Sequence, residues 1–239
     1  MARRGFASAN VAKVSAALLL RSVEYGESDV IATMFTELEG KVAVIVRGAR
    51  KGSRRVSGAL EPFHSIELTY EDRRGDLGVL KEARVLQVRA RLTGSLDAMQ
   101  AAGQALRWAR HLCPARTPEP DAWQELVALL DALDEGVGDP LALLAGAGLR
   151  LLGHVGYALE FERCVVCGAL CPPGRAGTLD PARGGLVCRA CGGASVAISA
   201  ELRAVAAAVQ RGQVPTKAQA SAISAIVTRA MLTHAEYEA

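Results

Sequence analysis

The sequence predicts an α+β protein in two parts: a small closed barrel of five strands over residues 1–91, then an α-helical domain over residues 92–239 with a four-cysteine loop at about residues 160–195. Three observations predict it. The first ninety residues contain short β-branched and apolar runs parted by Gly-containing turns. From about Ser95 the apolar residues recur at helical spacing instead. Late in that second part stand two Cys-x-x-Cys knuckles, Cys164-Val-Val-Cys167 and Cys188-Arg-Ala-Cys191, about twenty residues apart.

The strands follow in order. The first is expected over residues 14–23 and is broken by Tyr25-Gly-Glu-Ser28; the second, 29–36, carries Ile31 and Phe35. Glu39-Gly40 turns the chain into a Val/Ile run over 41–46. After a basic loop, residues 63–70 alternate, so that Ile66, Leu68 and Tyr70 share a buried side while Glu67 and Thr69 face out. Arg73-Arg-Gly-Asp76 turns into a fifth strand over 77–88. Five strands without intervening helices fit a small barrel, and a five-stranded Greek-key barrel is the OB architecture, with an SH3-like barrel as its main rival.

The helices are equally regular. Ser95 is positioned to cap a helix reaching about Leu112, with Ala98, Ala102, Ala105, Leu106 and Ala109 on one face. Pro114, Pro118 and Pro120 enforce a break, and Asp121 is expected to cap a second helix that Gly136 and Gly138 end. A third helix over 139–157 is almost wholly apolar and is expected to form the bundle core. Arg150 and His154 interrupt that run, so it does not read as a membrane span. Ser199 starts a further helix and Pro215 the last. Trp108 and Trp123 are expected to pack in the core, as is Cys113.

Two Cys-x-x-Cys pairs at this spacing converge their sulfurs into the tetrahedral thiolate shell that zinc prefers. Gly168 and Gly192, directly after each knuckle, suit its tight turn. Four thiolates leave no open coordination position, so such a zinc is structural, one per chain. The rival is a redox pair using one Cys-x-x-Cys reversibly, with a depressed thiol pKa. The basic start of the chain lacks an apolar core and a small-residue cleavage site, which argues against a secretory signal. Cysteine usage then points to a reducing cytoplasm.

Charge is uneven. Residues 1–91 carry a net +5 and residues 92–239 a net −2. The densest run, Arg47-Gly-Ala-Arg-Lys-Gly-Ser-Arg-Arg55, holds five cations and no acid. With the turn at Arg73 and Arg74 it is placed to track a phosphate backbone, and Tyr25 is the best exposed candidate for stacking on a base. No phosphate loop, dinucleotide fingerprint or His-Glu-x-x-His is present, and His64, His111, His154 and His234 are scattered. No catalytic residues are therefore assigned, and an enzyme is not expected. Asp131, Asp134 and Glu135 read as a solvated acidic edge. A zinc-ribbon transcription or RNA-binding accessory factor is the alternative function.

The stretches Leu18-Leu-Leu-Arg-Ser-Val-Glu-Tyr-Gly-Glu-Ser-Asp-Val30, Phe35-Thr-Glu-Leu-Glu-Gly-Lys41, Arg47-Gly-Ala-Arg50 and Leu60-Glu-Pro-Phe63 resemble, in this order, the N-terminal part of the bacterial RecO family of DNA recombination and repair proteins. Gly153-His-Val-Gly-Tyr157, Cys164-x-x-Cys-Gly168 and Gly184-Gly-Leu-Val-Cys-x-x-Cys191 resemble its zinc-bearing part, so the likeness spans residues 14 to about 212.

The resemblance implies an OB barrel, a helical domain with the zinc loop and no hydrolytic turnover. It implies binding of single- and double-stranded DNA, annealing of complementary strands, association with RecR, and help in loading RecA onto strands coated with single-strand-binding protein, in the cytoplasm at the nucleoid. The expected DNA-binding residues are Arg47, Arg50, Lys51, Arg54, Arg55, Arg73, Arg74 and Tyr25; the zinc ligands are Cys164, Cys167, Cys188 and Cys191. Single-strand-binding protein would present an acidic, apolar-ended peptide, and Arg107, Arg110 and Arg116 are expected to edge its groove. The C-terminus, Met231-Leu-Thr-His-Ala-Glu-Tyr-Glu-Ala239, is short and weakly acidic where a longer, basic helical tail is expected of the family.

Overall fold

The computed structural model describes residues 12–51, 60–72 and 76–234. The chain divides into two compact units, one of Met1–Val88 with Ala115–Pro118, the other of Arg89–Pro114 with Glu119–Ala239.

In the first unit, β1 (Ala12–Tyr25), β2 (Asp29–Thr36), β3 (Gly40–Val46), β4 (Ser65–Glu71) and β5 (Leu77–Gln87) close into a barrel in the order β1-β2-β3-β5-β4. Its pairs are antiparallel except β3 with β5, which run parallel where Ala43, Val44 and Ile45 face Leu77, Gly78 and Val79. This is the OB barrel. β1 serves two neighbours because a bulge between Leu19 and Arg21 bends it: its first half pairs with β4 and its second with β2. Alternation then sends Ala32, Met34, Val42, Val44, Val46, Ile66, Leu68 and Tyr70 into one core. β4 starts at Ser65 rather than at Phe63, because Phe63 takes φ 72, a left-handed turn conformation that cannot continue into a strand.

The second unit holds α1 (Leu96–Leu112), α2 (Pro120–Glu135), α3 (Pro140–His154), α4 (Ala200–Gln210) and α5 (Lys217–His234). The hydroxyls of Ser95 and Ser199 and the carboxylate of Asp139 accept from the amides of Ala98, Leu202 and Ala142 as N-caps. Asp121 does not cap α2. Pro120 occupies the first turn ahead of it, Glu119 holds the cap position without a side-chain bond, and Asp121 acts through the helix dipole. α3 packs against the other four helices. Its Gly148 lets them approach: a Cβ there would meet Val227 at 2.6 Å and Trp108 at 2.7 Å. It ends at His154, short of Tyr157, where Gly156 turns left-handed and the Tyr157 amide donates back to the Leu152 carbonyl. Both tryptophans and Cys113 are buried.

At the acidic end of α2, Glu135 is exposed as expected, but Asp131 and Asp134 are not a solvated edge. Arg89, fully buried, donates to Asp131 at 2.7 Å, and the Leu92 amide donates to Asp134 at 2.8 Å, so these carboxylates seat the chain entering the bundle. Spacing along α2 could not reveal partners some forty residues away. Asp131→Ala is expected to destabilise the protein by about 3 kcal/mol, since it takes a charged partner from a buried cation. Thermal denaturation of the variant checks this; a melt within a degree of the parent would contradict it.

Candidate metal centre and nucleic-acid interface

The segment between α3 and α4 builds a second, small sheet that the sequence did not reveal. β6 (Glu160–Cys164), β7 (Gly177–Asp180), β8 (Gly185–Leu186) and β9 (Val196–Ile198) lie in the order β6-β8-β7-β9. Strands of two to five residues carry almost no periodic signal. Each knuckle follows the end of a strand. The first turns where the Gly168 amide donates to the Cys164 carbonyl at 2.8 Å, the second where the Cys191 amide donates to Cys188 at 3.0 Å. Gly168 (φ 72) and Gly192 (φ 95) close these turns left-handed, as glycine permits.

The turns bring together the four sulfurs of Cys164, Cys167, Cys188 and Cys191, all within 4.8 Å of one another. The Cys167 and Cys188 sulfurs are 3.7 Å apart. A tetrahedral centre with metal–sulfur bonds of about 2.3 Å sets neighbouring sulfurs about 3.8 Å apart, so the pocket fits a metal ion. Backbone amides of Cys188 and Cys167 lower the Cys164 thiol to about 6, whereas the neighbouring thiols of Cys188 and Cys167 push Cys191 up to about 12. Four thiolates this close repel, and a cation is what allows all four to ionise together. The depressed thiol, Cys164, is only 3% exposed, which suits a ligand rather than the accessible nucleophile of an oxidoreductase.

α4 braces this loop through a side chain that sequence reasoning missed. Buried Arg203 donates to the carbonyls of Cys171 at 3.2 Å and Pro172 at 2.6 Å. Cys171 itself stands outside the four-sulfur cluster. The histidines stay apart: His64 faces Glu61, His154 faces Glu125, His111 lies beside Arg110, and His234 stacks on Tyr157.

On the barrel, the register fixes which residues share the outward face of β1, β2 and β3. Val23, Ile31 and Ile45 form one row across the three strands, since Val23 pairs with Ile31 and Ile31 with Ile45. Arg21, Thr33 and Ala43 form the next row. Tyr25, opposite Asp29 at the rim, is 55% exposed. Arg21 and Arg47 are exposed and have no ionic partner among the described residues. Arg50 differs, because its guanidinium meets Glu24 at 3.3 Å and is partly neutralised. Lys51 ends a short 3-10 turn, and Arg54, Arg55, Arg73 and Arg74 lie outside the described residues. Arg21 and its apolar row went unnoticed in the sequence because pairing across strands, not spacing along one, creates the face.

The three arginines expected to edge a peptide groove each have a partner within their own unit. Arg107 and Arg110 sit on α1, bonded to Gln104 and His111, whereas Arg116 belongs to the barrel unit and is committed to Asp72 at 2.6 Å.

Fold and site together define a class: an OB-barrel protein with a helical bundle and a cluster of four cysteines that could hold a metal ion. Comparison with known proteins narrows it. Residues 13–89 match the family described as Recombination protein O N terminal, and residues 94–236 match Recombination protein O C terminal. Among named relatives, "DNA repair protein RecO" of Anaeromyxobacter sp. (strain K) is 39% identical over 176 residues, covering 73% of this chain and 68% of that protein. The protein of the same name from Myxococcus xanthus (strain DK1622) is 35% identical over 199 residues, 82% of this chain and 80% of its own length. That of Geobacter sulfurreducens is 35% identical over 185 residues, 77% and 75%. The chain belongs to the RecO family of DNA repair proteins.

Proposed function

We propose that this protein is a recombination mediator of the cytoplasm and nucleoid: it binds single- and double-stranded DNA, anneals complementary strands and, with RecR, helps load RecA onto strands coated with single-strand-binding protein. The observation that carries the reading is the outward face of β1, β2 and β3, where the Val23, Ile31 and Ile45 row and exposed Tyr25 lie with Arg21, and Arg47 follows the end of β3, both arginines exposed and without an ionic partner among the described residues. An apolar row offers bases a surface to lie on, and guanidinium groups meet the phosphates. Binding of this kind reads backbone charge and not sequence, so the base edges of a bound strand stay free to pair with a complement. Arg47, Arg50, Lys51, Arg54 and Arg55 would extend the positive track along the β3–β4 loop, and Arg73 and Arg74 along the β4–β5 turn.

The metal is proposed to be one structural zinc, held by Cys164, Cys167, Cys188 and Cys191. With all positions taken by thiolate it would tie the β6–β9 sheet together and leave none for substrate, which accords with a protein that is not an enzyme.

The test is annealing of two complementary fluorescent oligonucleotides coated with single-strand-binding protein, across a salt series, with metal content measured on the same sample. Acceleration that fades with salt, beside one zinc per chain, is the expected result. A protein that holds zinc but neither binds DNA nor speeds annealing would overturn the reading in favour of an RNA-binding or transcription accessory factor.

A further inference from the structure

The small sheet that carries the knuckles borders a groove of about 660 Å³. Thr178 and Ala197, opposite one another on β7 and β9, line it with Leu186 and Val187, and the loop from Ala169 to Ala176 supplies a wall. This is not the metal pocket. Only Cys164 and Cys188 of the four clustered cysteines reach the groove, and a single ion between four sulfurs needs far less room. A volume of this size takes a ligand.

The charge around it is one-sided. Arg175 and Arg189 line the groove, are exposed, and have no ionic partner among the described residues. No acid lines it. The acids of residues 160–195 are held elsewhere: Glu160 accepts from the Glu162 amide at 2.6 Å, Glu162 meets Arg211 at 3.4 Å, and Asp180 meets Arg183 at 3.3 Å. The wall adds a third cation, since its Cys171 and Pro172 carbonyls accept from buried Arg203, which has no carboxylate partner among the described residues. A zinc held by four thiolates would be a dianion, which three guanidiniums outweigh. The groove is thus electropositive within a stretch, residues 92–239, whose net charge is −2.

We propose that this groove is a second binding site for single-stranded DNA, with Arg175 and Arg189 on the phosphates and the aliphatic lining beneath the bases. The inference rests on the DNA-binding reading above and extends it: annealing needs two strands held at once, and the barrel face seats one. Guanidinium groups match phosphate geometry and displace its counterions. The lining reads no sequence, because the Thr178 hydroxyl is already spent, donating to the Val187 carbonyl at 2.7 Å and accepting from the Ala194 amide at 3.0 Å. That also favours a strand over an acidic peptide of the same charge. A peptide brings amides that need partners in the groove, whereas a strand's base edges face outward to its complement.

The experiment is an anisotropy titration of labelled oligo-dT onto the zinc-loaded full chain, first at concentrations high enough to count bound strands, then across a salt series, with annealing of complementary oligonucleotides measured alongside. Arg175→Ala/Arg189→Ala alters two exposed side chains, and its melt and zinc content are the folding controls. The parent is expected to bind two strands per chain and the variant one. Annealing by the variant is expected to slow about five- to tenfold at low salt, and its log–log salt slope to flatten by up to about 1.4, at about 0.7 per phosphate. Arg175→Lys/Arg189→Lys, which keeps the charges, is expected to retain the second strand. Arg21→Ala is expected to weaken the strand on the barrel and leave the one in the groove. One strand per parent chain, or parental stoichiometry and annealing in the double Ala variant, would overturn the proposal. So would a labelled Asp/Leu peptide that the parent binds, the double Ala variant loses and oligo-dT does not displace, since the groove would then be a peptide site. A parent that binds no oligo-dT at all overturns the wider reading too, which separates the two failures.

Discussion

Stripping the metal with a chelator is expected to lower the melting temperature of this protein by about 10 °C, the shift that a loss of roughly 3–5 kcal/mol produces in a chain of this size. The reason lies in the size of what the proposed metal would hold. β6, β7, β8 and β9 have five, four, two and three residues, too few to stand as a sheet without a crosslink. Without a cation the four sulfurs cannot all ionise side by side, and Cys191 keeps its proton, its thiol pushed up to about 12 by Cys188 and Cys167. The unravelling is expected to spread to α4, because Arg203 is fastened to the loop through Cys171 and Pro172. Cys188→Ser should lose the metal and melt with the chelated protein. Differential scanning calorimetry beside metal analysis decides it: an unchanged melt after confirmed metal loss would remove the structural role.

The second large effect is expected in DNA binding. Replacing Arg50, Lys51, Arg54 and Arg55 together by Ala should cut affinity for a single strand steeply at low salt. It should also flatten the plot of log affinity against log salt by up to about 3, since each contacted phosphate contributes about 0.7 to that slope. Arg50 is expected to supply less than its share, because Glu24 already meets it at 3.3 Å and its removal frees an acid beside the track. Arg47→Ala alone should therefore flatten the slope more than Arg50→Ala alone. Anisotropy titrations at several salt concentrations measure both; a quadruple variant that binds as the parent does would show that the loop is merely solvated.

These expectations show how unevenly the molecule is written into its chain. The five strands of the barrel were legible because each buries one face, which imposes alternation, as in Ile66, Leu68 and Tyr70. The knuckles were legible because tetrahedral thiolate chemistry demands a short fixed spacing. Misreadings arose where a residue's partner is remote. Asp131 looked solvated until Arg89 was found buried against it, and Asp121 looked like a cap until Pro120 took the turn before it. The partner of Arg116 was hidden in the same way, since its guanidinium serves Asp72, over forty residues back.

The sequence by itself determined the strand and helix order, the break between barrel and bundle chemistry, and the four cysteines that cluster, because periodicity, capping and ligand spacing act over a few residues. Only the tertiary structure decided which residues share the outward barrel face, which cations are already spent on carboxylates, and that a small sheet carries the knuckles. Each of those depends on strand register and side-chain contacts between distant segments, which burial and closure set once the chain has folded.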